Sequence, residues 1–355
     1  EQTGEPHAAD TADAEDVQSF TYCFFIEHRP GERHVIDKPA DYTRNRDGQP
    51  YTLTLHYGDG RVMTYGVFEH RPGTFGTFWS YRRAIDATQF DDPRYARDLA
   101  LINWPGNDYR GGNILVDDPA EQLRQLQAAR DLSLGFLHWM QTEMPRDDGG
   151  RGYPEFKLRP DVVGTPDGLC MFPYIRESRR IAAIKTIVEQ EVTATGRQGP
   201  RAAHFDDSVG IGLYGIDIHE SKRGRKQVID PTKPFQVPLG ALIPRRTANL
   251  LAGCKNIGTT HITNGCYRLH PIEWGIGEAA GLIASLCVER KLAPREVREQ
   301  KPVLRELQRR IVARGSPIMW YDDVPTTDRR FEKVQILPFE QPAILERLDA
   351  GLHAP

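Results

Sequence analysis

The sequence lacks any excess of one charge: 46 Lys and Arg stand against 49 Asp and Glu, a formal net charge of −3. Without a basic field, a nucleic-acid partner is not expected. Long apolar runs are also missing, since every apolar stretch is broken within a few residues. That pattern offers no transmembrane helix, so a soluble chain with no membrane partner is expected. Cysteine is sparse, five in 355 residues (Cys23, Cys170, Cys254, Cys266 and Cys287), and no two share the short spacing that holds zinc or an iron–sulfur cluster. The odd count reads as reduced, buried thiols, with one disulfide as the alternative. This leaves the compartment open, with the reducing cytoplasm favoured over an oxidising one. The chain begins at Glu1 with no apolar leader, and residues 1–16 are small, acidic and polar. That beginning reads as a loop in a chain cut from a longer one.

What is present is an ordinary globular composition, 39% hydrophobic and 27% charged, with 26 Pro and 32 Gly. Its length allows two domains and a substantial core, and its turn formers predict a loop-rich architecture. "VQSFTYCFFI" (17–26) predicts a buried strand. "YTLTLHYGDGRVMTYGVFE" (51–69) predicts a hairpin turning at Gly58-Asp59-Gly60. "GTFWSYRRAID" (76–86) reads as a strand, and Ala120–Met144 as the clearest helix, capped by Asp117 or Asp118 with Pro119 at its start. A β segment is expected at 209–220 and a short strand at 249–254. An Ala/Gly-rich helix is expected from Gly277 to about Arg290, then a helix from Pro294 to Ala313 stopped by Gly315. No internal repeat is found.

Several segments carry candidate chemistry. "GIGLYG" (210–215) has the spacing of a dinucleotide-binding fingerprint, but a charged, alternating segment follows it where that fingerprint needs a helix. Glycines that ease a crowded strand are the better reading. "NLLAGCKNIGTTHITNGCYRLHPIEWGIGEAAGLIA" (249–284) runs from an apolar stretch through a loop into a helix of very small residues. Small residues let a ligand or a neighbouring backbone come close, and tight packing on a sheet is the structural alternative. "RESRR" (176–180) offers Arg176 and Arg179 to stabilise negative charge or clamp a substrate oxygen, or forms a salt-bridged structural strand. Asp217 and His219 would share a strand face as a carboxylate–imidazole pair able to take a hydroxyl proton. His261 is the second candidate base; for either histidine a structural role is the alternative. His204, Asp206, Asp207, Asp217 and His219 have no spacing that compels a metal site, and none is expected.

The stretch 249–284 resembles the C-terminal flavin-contacting segment of FAD-dependent oxidoreductases related to the glutathione-reductase and succinate-dehydrogenase flavoproteins. The nearest likeness is to a bacterial FAD-dependent oxidoreductase family, some members of which are labelled xanthan lyase-like. "YIRESRRI" (174–181), "DSVGIGLYGIDIHE" (207–220), "INWPGNDY" (102–109) and "WYDDVP" (320–325) resemble further motifs of that family, so the likeness covers the chain from about Val17 onward. The resemblance implies FAD as cofactor. Gly253, Trp274, Gly275, Ile276 and Gly277 would then line the isoalloxazine and ribityl region, with Thr259, Thr260 and His261 as the neighbouring wall. Asn103, Asn107, Tyr109 and Asp217 would contact substrate, and His219, His261, Arg176 and Arg179 would be catalytic. The family's first strand, its glycine-rich phosphate loop and its ribose-binding acid have no counterpart here, so a missing N-terminal FAD-binding segment is an expected partner.

The resulting expectation is an α/β protein. It combines an incomplete FAD-binding, Rossmann-like domain with a β-rich substrate domain carrying a long helix. The expected boundaries are 1–230 for the substrate domain, 231–315 for the C-terminal part of the FAD-binding domain and 316–355 for an appendage. The expected activity is oxidation of a hydroxyl-bearing, carbohydrate-like small molecule by hydride transfer to flavin. A flavin-free polysaccharide lyase, and a non-catalytic subunit that needs a Rossmann partner, are the alternatives.

Overall fold

The computed structural model describes residues 3–349 apart from 10, 12, 58, 59 and 196–198. The chain forms two compact units. The N-proximal unit is Asp13–Arg176 with His219–Gln227, and the C-proximal unit takes Glu1–Ala12, Glu177–Ile218 and Val228–Pro355. The observed division therefore falls near residue 177, not at 231, and short segments cross it. Among the described residues beyond 316 no appendage stands apart: Ile318, Met319, Phe331, Val334, Ile336 and Phe339 are buried in the C-proximal core.

Strands β1 (Phe20–Thr21), β2 (Phe24–His28), β3 (Thr54–His56), β4 (Val62–Thr64), β5 (Arg83–Ile85), β6 (Leu99–Ile102), β7 (Phe156–Leu158) and β8 (Tyr174–Ile175) belong to the N-proximal unit. So do helices α1 (Tyr42–Gly48), α2 (Phe78–Arg82), α3 (Pro119–Thr142) and α4 (Pro160–Val163). Its four-stranded sheet runs β5-β6-β2-β7, all antiparallel, with Ile26 between Ala100 and Leu158. The end of the aromatic, β-branched run predicted as a strand, 24–26, thus enters an interior strand between two neighbours, while Phe20–Thr21 pairs with β8 in a separate sheet. The hairpin forms as β3–β4 with Leu55 opposite Met63; the first two residues of its expected turn, Gly58 and Asp59, lie outside the described residues.

Helix α3 starts where the sequence signals it. The Asp118 side chain accepts from Ala120 N at 2.9 Å, and Pro119 occupies the first turn, where no N–H is needed. Ala129, Leu132, Phe136, Leu137 and Met140 form its buried face, whereas Leu123 is exposed. The segment 76–86 departs from expectation: Thr77 and Ser80 form a reciprocal capping box that starts α2, and only Arg83–Ile85 is strand. A local Thr-x-x-Ser cap overrides the aromatic β propensity.

The C-proximal unit holds β9 (Ser208–Gly212), β10 (Ile216–Ile218), β11 (Val228–Asp230) and β12 (Phe235–Pro238). It also holds α5 (His261–Tyr267), α6 (His270–Arg290), α7 (Pro294–Glu299), α8 (Lys301–Ala313), α9 (Phe331–Glu340) and α10 (Ile344–Asp349). Its strands pair antiparallel, β9 with β12 and β10 with β11. Among the described residues the one parallel bridge is the isolated Ile187–Thr259 contact. Within "GIGLYG" it is Gly212 that serves close packing, since a Cβ there would lie 2.4 Å from the Phe235 ring. No helix follows the segment.

Two further elements differ from expectation. Residues 249–254 form no strand, and α6 begins at His270, two turns before Gly277. Pro271 is tolerated in that first turn, which lets the helix start early. The small residues therefore sit inside α6. With its full length, α6 has the length and apolar composition that could cross a membrane, a helix the interrupted sequence runs did not suggest. One side, with Ile272, Ile276, Ala279, Ile283 and Leu286, is nevertheless buried in the core.

Candidate active site

The C-proximal unit positions one imidazole with unusual economy of contacts. Thr260 caps α5, accepting from Thr263 N at 3.1 Å while its own N–H donates to Thr263 Oγ1 at 3.0 Å. That cap sets His261 at the first helical position. His261 Nδ1 lies 2.7 and 2.8 Å from the two carboxylate oxygens of Glu177, and Arg180 donates to Glu177 at 2.8 Å. Burial pushes the Glu177 carboxyl up, but the His261 hydrogen bond and charge together with Arg180 outweigh it and hold it at about 2. Glu177 is therefore an ionised acceptor, so in the neutral form of His261 the proton sits on Nδ1. The lone pair then lies on Nε2, which is buried and has no hydrogen-bond partner.

Two nearby positions in sequence repeat this condition. Thr259 Oγ1 and Asn264 Oδ1 are also buried without a partner. His261 and Asn264 are three residues apart on one helix and so share a face. Unsatisfied buried polar atoms cost about 1–3 kcal/mol each, and three fall in this one short segment. On α6, Trp274 is 79% exposed and nothing lies within 4 Å of a Cβ placed on Gly275. Gly253 and Gly277 meet each other, a Gly277 Cβ lying 3.3 Å from Gly253 O. The Ile276 side chain points into the core, and the Thr260 hydroxyl is engaged by Thr263 and by Glu5 at 2.6 Å.

The N-proximal unit carries a second carboxylate–imidazole pair. Asp108 is buried, and its Oδ2 lies 2.6 Å from His219 Nδ1. Its other oxygen accepts from Thr21 Oγ1 and pairs with Arg176 Nη2 at 3.0 Å. Burial acts to raise the Asp108 carboxyl, but Arg176 and His219 win and hold it well below the usual carboxylate range. Arg176 also donates to Ser19 O, to Thr21 and, at 2.9 Å, to Asn103 Oδ1, so the guanidinium is locked. Asp108 and His219 line a cleft of about 520 Å³ together with Thr52, Tyr57, Arg61, Arg110 and Lys226.

The residues singled out from sequence divide between these centres. Asn103, Arg176 and His219 come together around Asp108. Asn107 is buried and structural, its Oδ1 accepting from Trp104 N at 2.9 Å. Tyr109 donates to Gln125 at 2.5 Å. Arg179 is exposed. Asp217 lies on β10, which ends at Ile218, and faces Arg268 at 3.5 Å. The actual carboxylate partners, Asp108 and Glu177, were missed. Each sat inside a quoted motif, between Asn107 and Tyr109 and between Arg176 and Arg179, where a lone acid among flashier neighbours was the available signal.

An ionised buried carboxylate that fixes an imidazole is an arrangement suited to proton transfer. The chain's particular family follows from comparison with known proteins. Residues 2–311 match the family described as FAD dependent oxidoreductase, and the chain belongs to it. No curated protein and no solved structure matches the chain. Its cofactor is accordingly FAD. The three orphaned polar atoms at 259, 261 and 264 fit the ring end of that cofactor, whose edge presents both donors and acceptors. The ADP end finds no counterpart: among the described residues no strand leads through a glycine-rich loop into a helix.

Proposed function

We propose that this flavoenzyme oxidises a hydroxyl-bearing, carbohydrate-like substrate, with His261 as the base. The observation that carries the reading is the pinned Nδ1 and open, buried Nε2 of His261. As the hydroxyl is oxidised, Nε2 takes its proton, and Glu177 stabilises the imidazolium that results. Arg180, already paired with Glu177, keeps that carboxylate from drifting. FAD, when bound, supplies the hydride acceptor. Thr259 and Asn264 would hold the ring edge, and Gly253, Trp274, Gly275, Gly277 and the Ile276 backbone its face, in keeping with the glutathione-reductase-like placement.

The ADP end would be held by a dinucleotide-binding segment beyond the described residues. The outward face of α6, with Trp274 and Val288 about four-fifths exposed, is the surface it would cover. A second reading keeps the proton transfer in the N-proximal unit, with His219 as base, because His219 lines the cleft there. No observation favours the flavin-free lyase over these.

The test is anaerobic bleaching of the flavin visible band by a panel of polyols and sugar acids, with the full chain supplied with FAD and a glycine-rich upstream segment. His261→Asn should slow bleaching by roughly 10²–10⁴-fold without loss of bound flavin. A loss confined to His219→Asn would move the chemistry to the second centre. Full-rate bleaching in both variants would defeat the assignment.

A further inference from the structure

Apart from the two imidazole centres, one cluster of ligating side chains in the C-proximal unit has no part in the chemistry above. His7, Glu189 and Asp230 each offer one donor atom, and the three atoms lie within 4.8 Å of one another. They come from three separate places: the N-terminal segment, the short turn Glu189–Glu191 and the last residue of β11. The His7 backbone donates to Glu189 Oε2 at 3.0 Å, and His7 Nδ1 sits 2.5 Å from Glu189 Oε1. The neighbouring acid, Glu5, is already committed, accepting from Glu189 N at 2.9 Å and from Thr260.

The charge balance of this cluster is unfavourable as it stands. Glu189 is 1% exposed and Asp230 9%, so two carboxylates are buried side by side. Among the described residues the one ion pair of Glu189 is with His7. Asp230 Oδ2 is buried and accepts no hydrogen bond. Burial, and then Glu189 working against His7, push the Asp230 carboxyl above its ordinary range. Buried like charges are costly unless paired or bound to a metal.

We propose that His7, Glu189 and Asp230 form a binding site for a divalent first-row transition cation, with Zn²⁺ the best match. One imidazole nitrogen with two carboxylate oxygens is a donor set that zinc accepts, while Mg²⁺ and Ca²⁺ prefer oxygen alone. A divalent ion neutralises both carboxylates at once and satisfies the orphaned oxygen. It also ties residue 7 to the Glu189 turn and to β11, so the site is structural and acts on stability.

The experiment uses the full chain stripped with a chelator, then titrated with Zn²⁺ against a chromogenic competitor while thermal unfolding is followed. The expected result is one Zn²⁺ per chain and a raised melting temperature, with both lost in His7→Ala and Asp230→Asn, and no rise with Mg²⁺. His7 is exposed, so His7→Ala tests the site without disturbing the core. Zinc binding of equal stoichiometry and affinity in both variants, or no binding by the unaltered chain, overturns the proposal.

Discussion

Replacing Glu177 by glutamine keeps its shape and removes one negative charge from between His261 and Arg180. The ordinary carboxyl value of 4.5 falls to about 2 in the folded protein, with burial opposing the fall and His261 and Arg180 driving it. A depressed folded value means that the group adds stability above its unfolded value and loses that contribution as the pH falls through about 2. The gap of about 2.5 pH units corresponds to about 3 kcal/mol near neutral pH. Glu177 is nearly buried, its side chain 7% exposed, so solvent screening removes little of this. Glu177→Gln should therefore melt roughly 5 °C below the parent near neutral pH. That difference should shrink steadily as the medium is acidified, because the parent loses its advantage while the variant has none to lose. Differential scanning calorimetry across acidic to neutral buffers reads both curves. A melting difference that stays constant from neutral to strongly acidic pH would refute the electrostatic argument and leave only a packing defect.

Other consequences are open to direct test. Gly265 packs so closely that a Cβ would lie 2.7 Å from Ile218 Cδ1 and 3.0 Å from Asp217 N. Gly265→Ala should cost about 1–3 kcal/mol in a denaturant melt, and an unshifted midpoint would show that the contact relaxes freely. All five cysteines are free; burial pushes the Cys23 thiol up to about 12 and raises Cys266 as well, whereas Cys254, raised by partial burial and by Glu273, is exposed to reagent. A thiol reagent followed by peptide mapping should therefore label Cys254 first and reach Cys23 and Cys266 only on unfolding. Early labelling at Cys23 would contradict the packing around β2.

Local signals were the legible part of this chain. Asp118-Pro119 marked the start of α3 because a cap and a proline act over adjacent residues. The strand expected at 17–26 was legible in part, because its apolar end, 24–26, enters the buried β2, while Phe20–Thr21 pairs in another sheet. The glycines of 210–215 were rightly separated from a phosphate loop because no helix signal followed them. Pairings across long stretches were not legible. His219 joins Asp108 across 111 residues and His261 joins Glu177 across 84, and no local periodicity encodes either. The two-unit division was equally hidden, since segments such as 219–227 are exchanged without any linker composition to mark them. The stretch 316–355 read as an appendage because its apolar residues are scattered, and only packing reveals that those between Ile318 and Phe339 share one core.

The chain crosses from one unit to the other four times, near residues 12, 176, 218 and 227. Order of synthesis thereby becomes a structural variable. By the time Arg176 leaves the ribosome, most of the N-proximal unit has emerged and can begin to collapse. Its Asp108–Arg176 pair, however, must wait for residue 219 before the imidazole arrives. The last polar partner of the first unit is thus delivered only after a stretch of the second has been made. A chain ending before that point would lack the imidazole that pairs with Asp108.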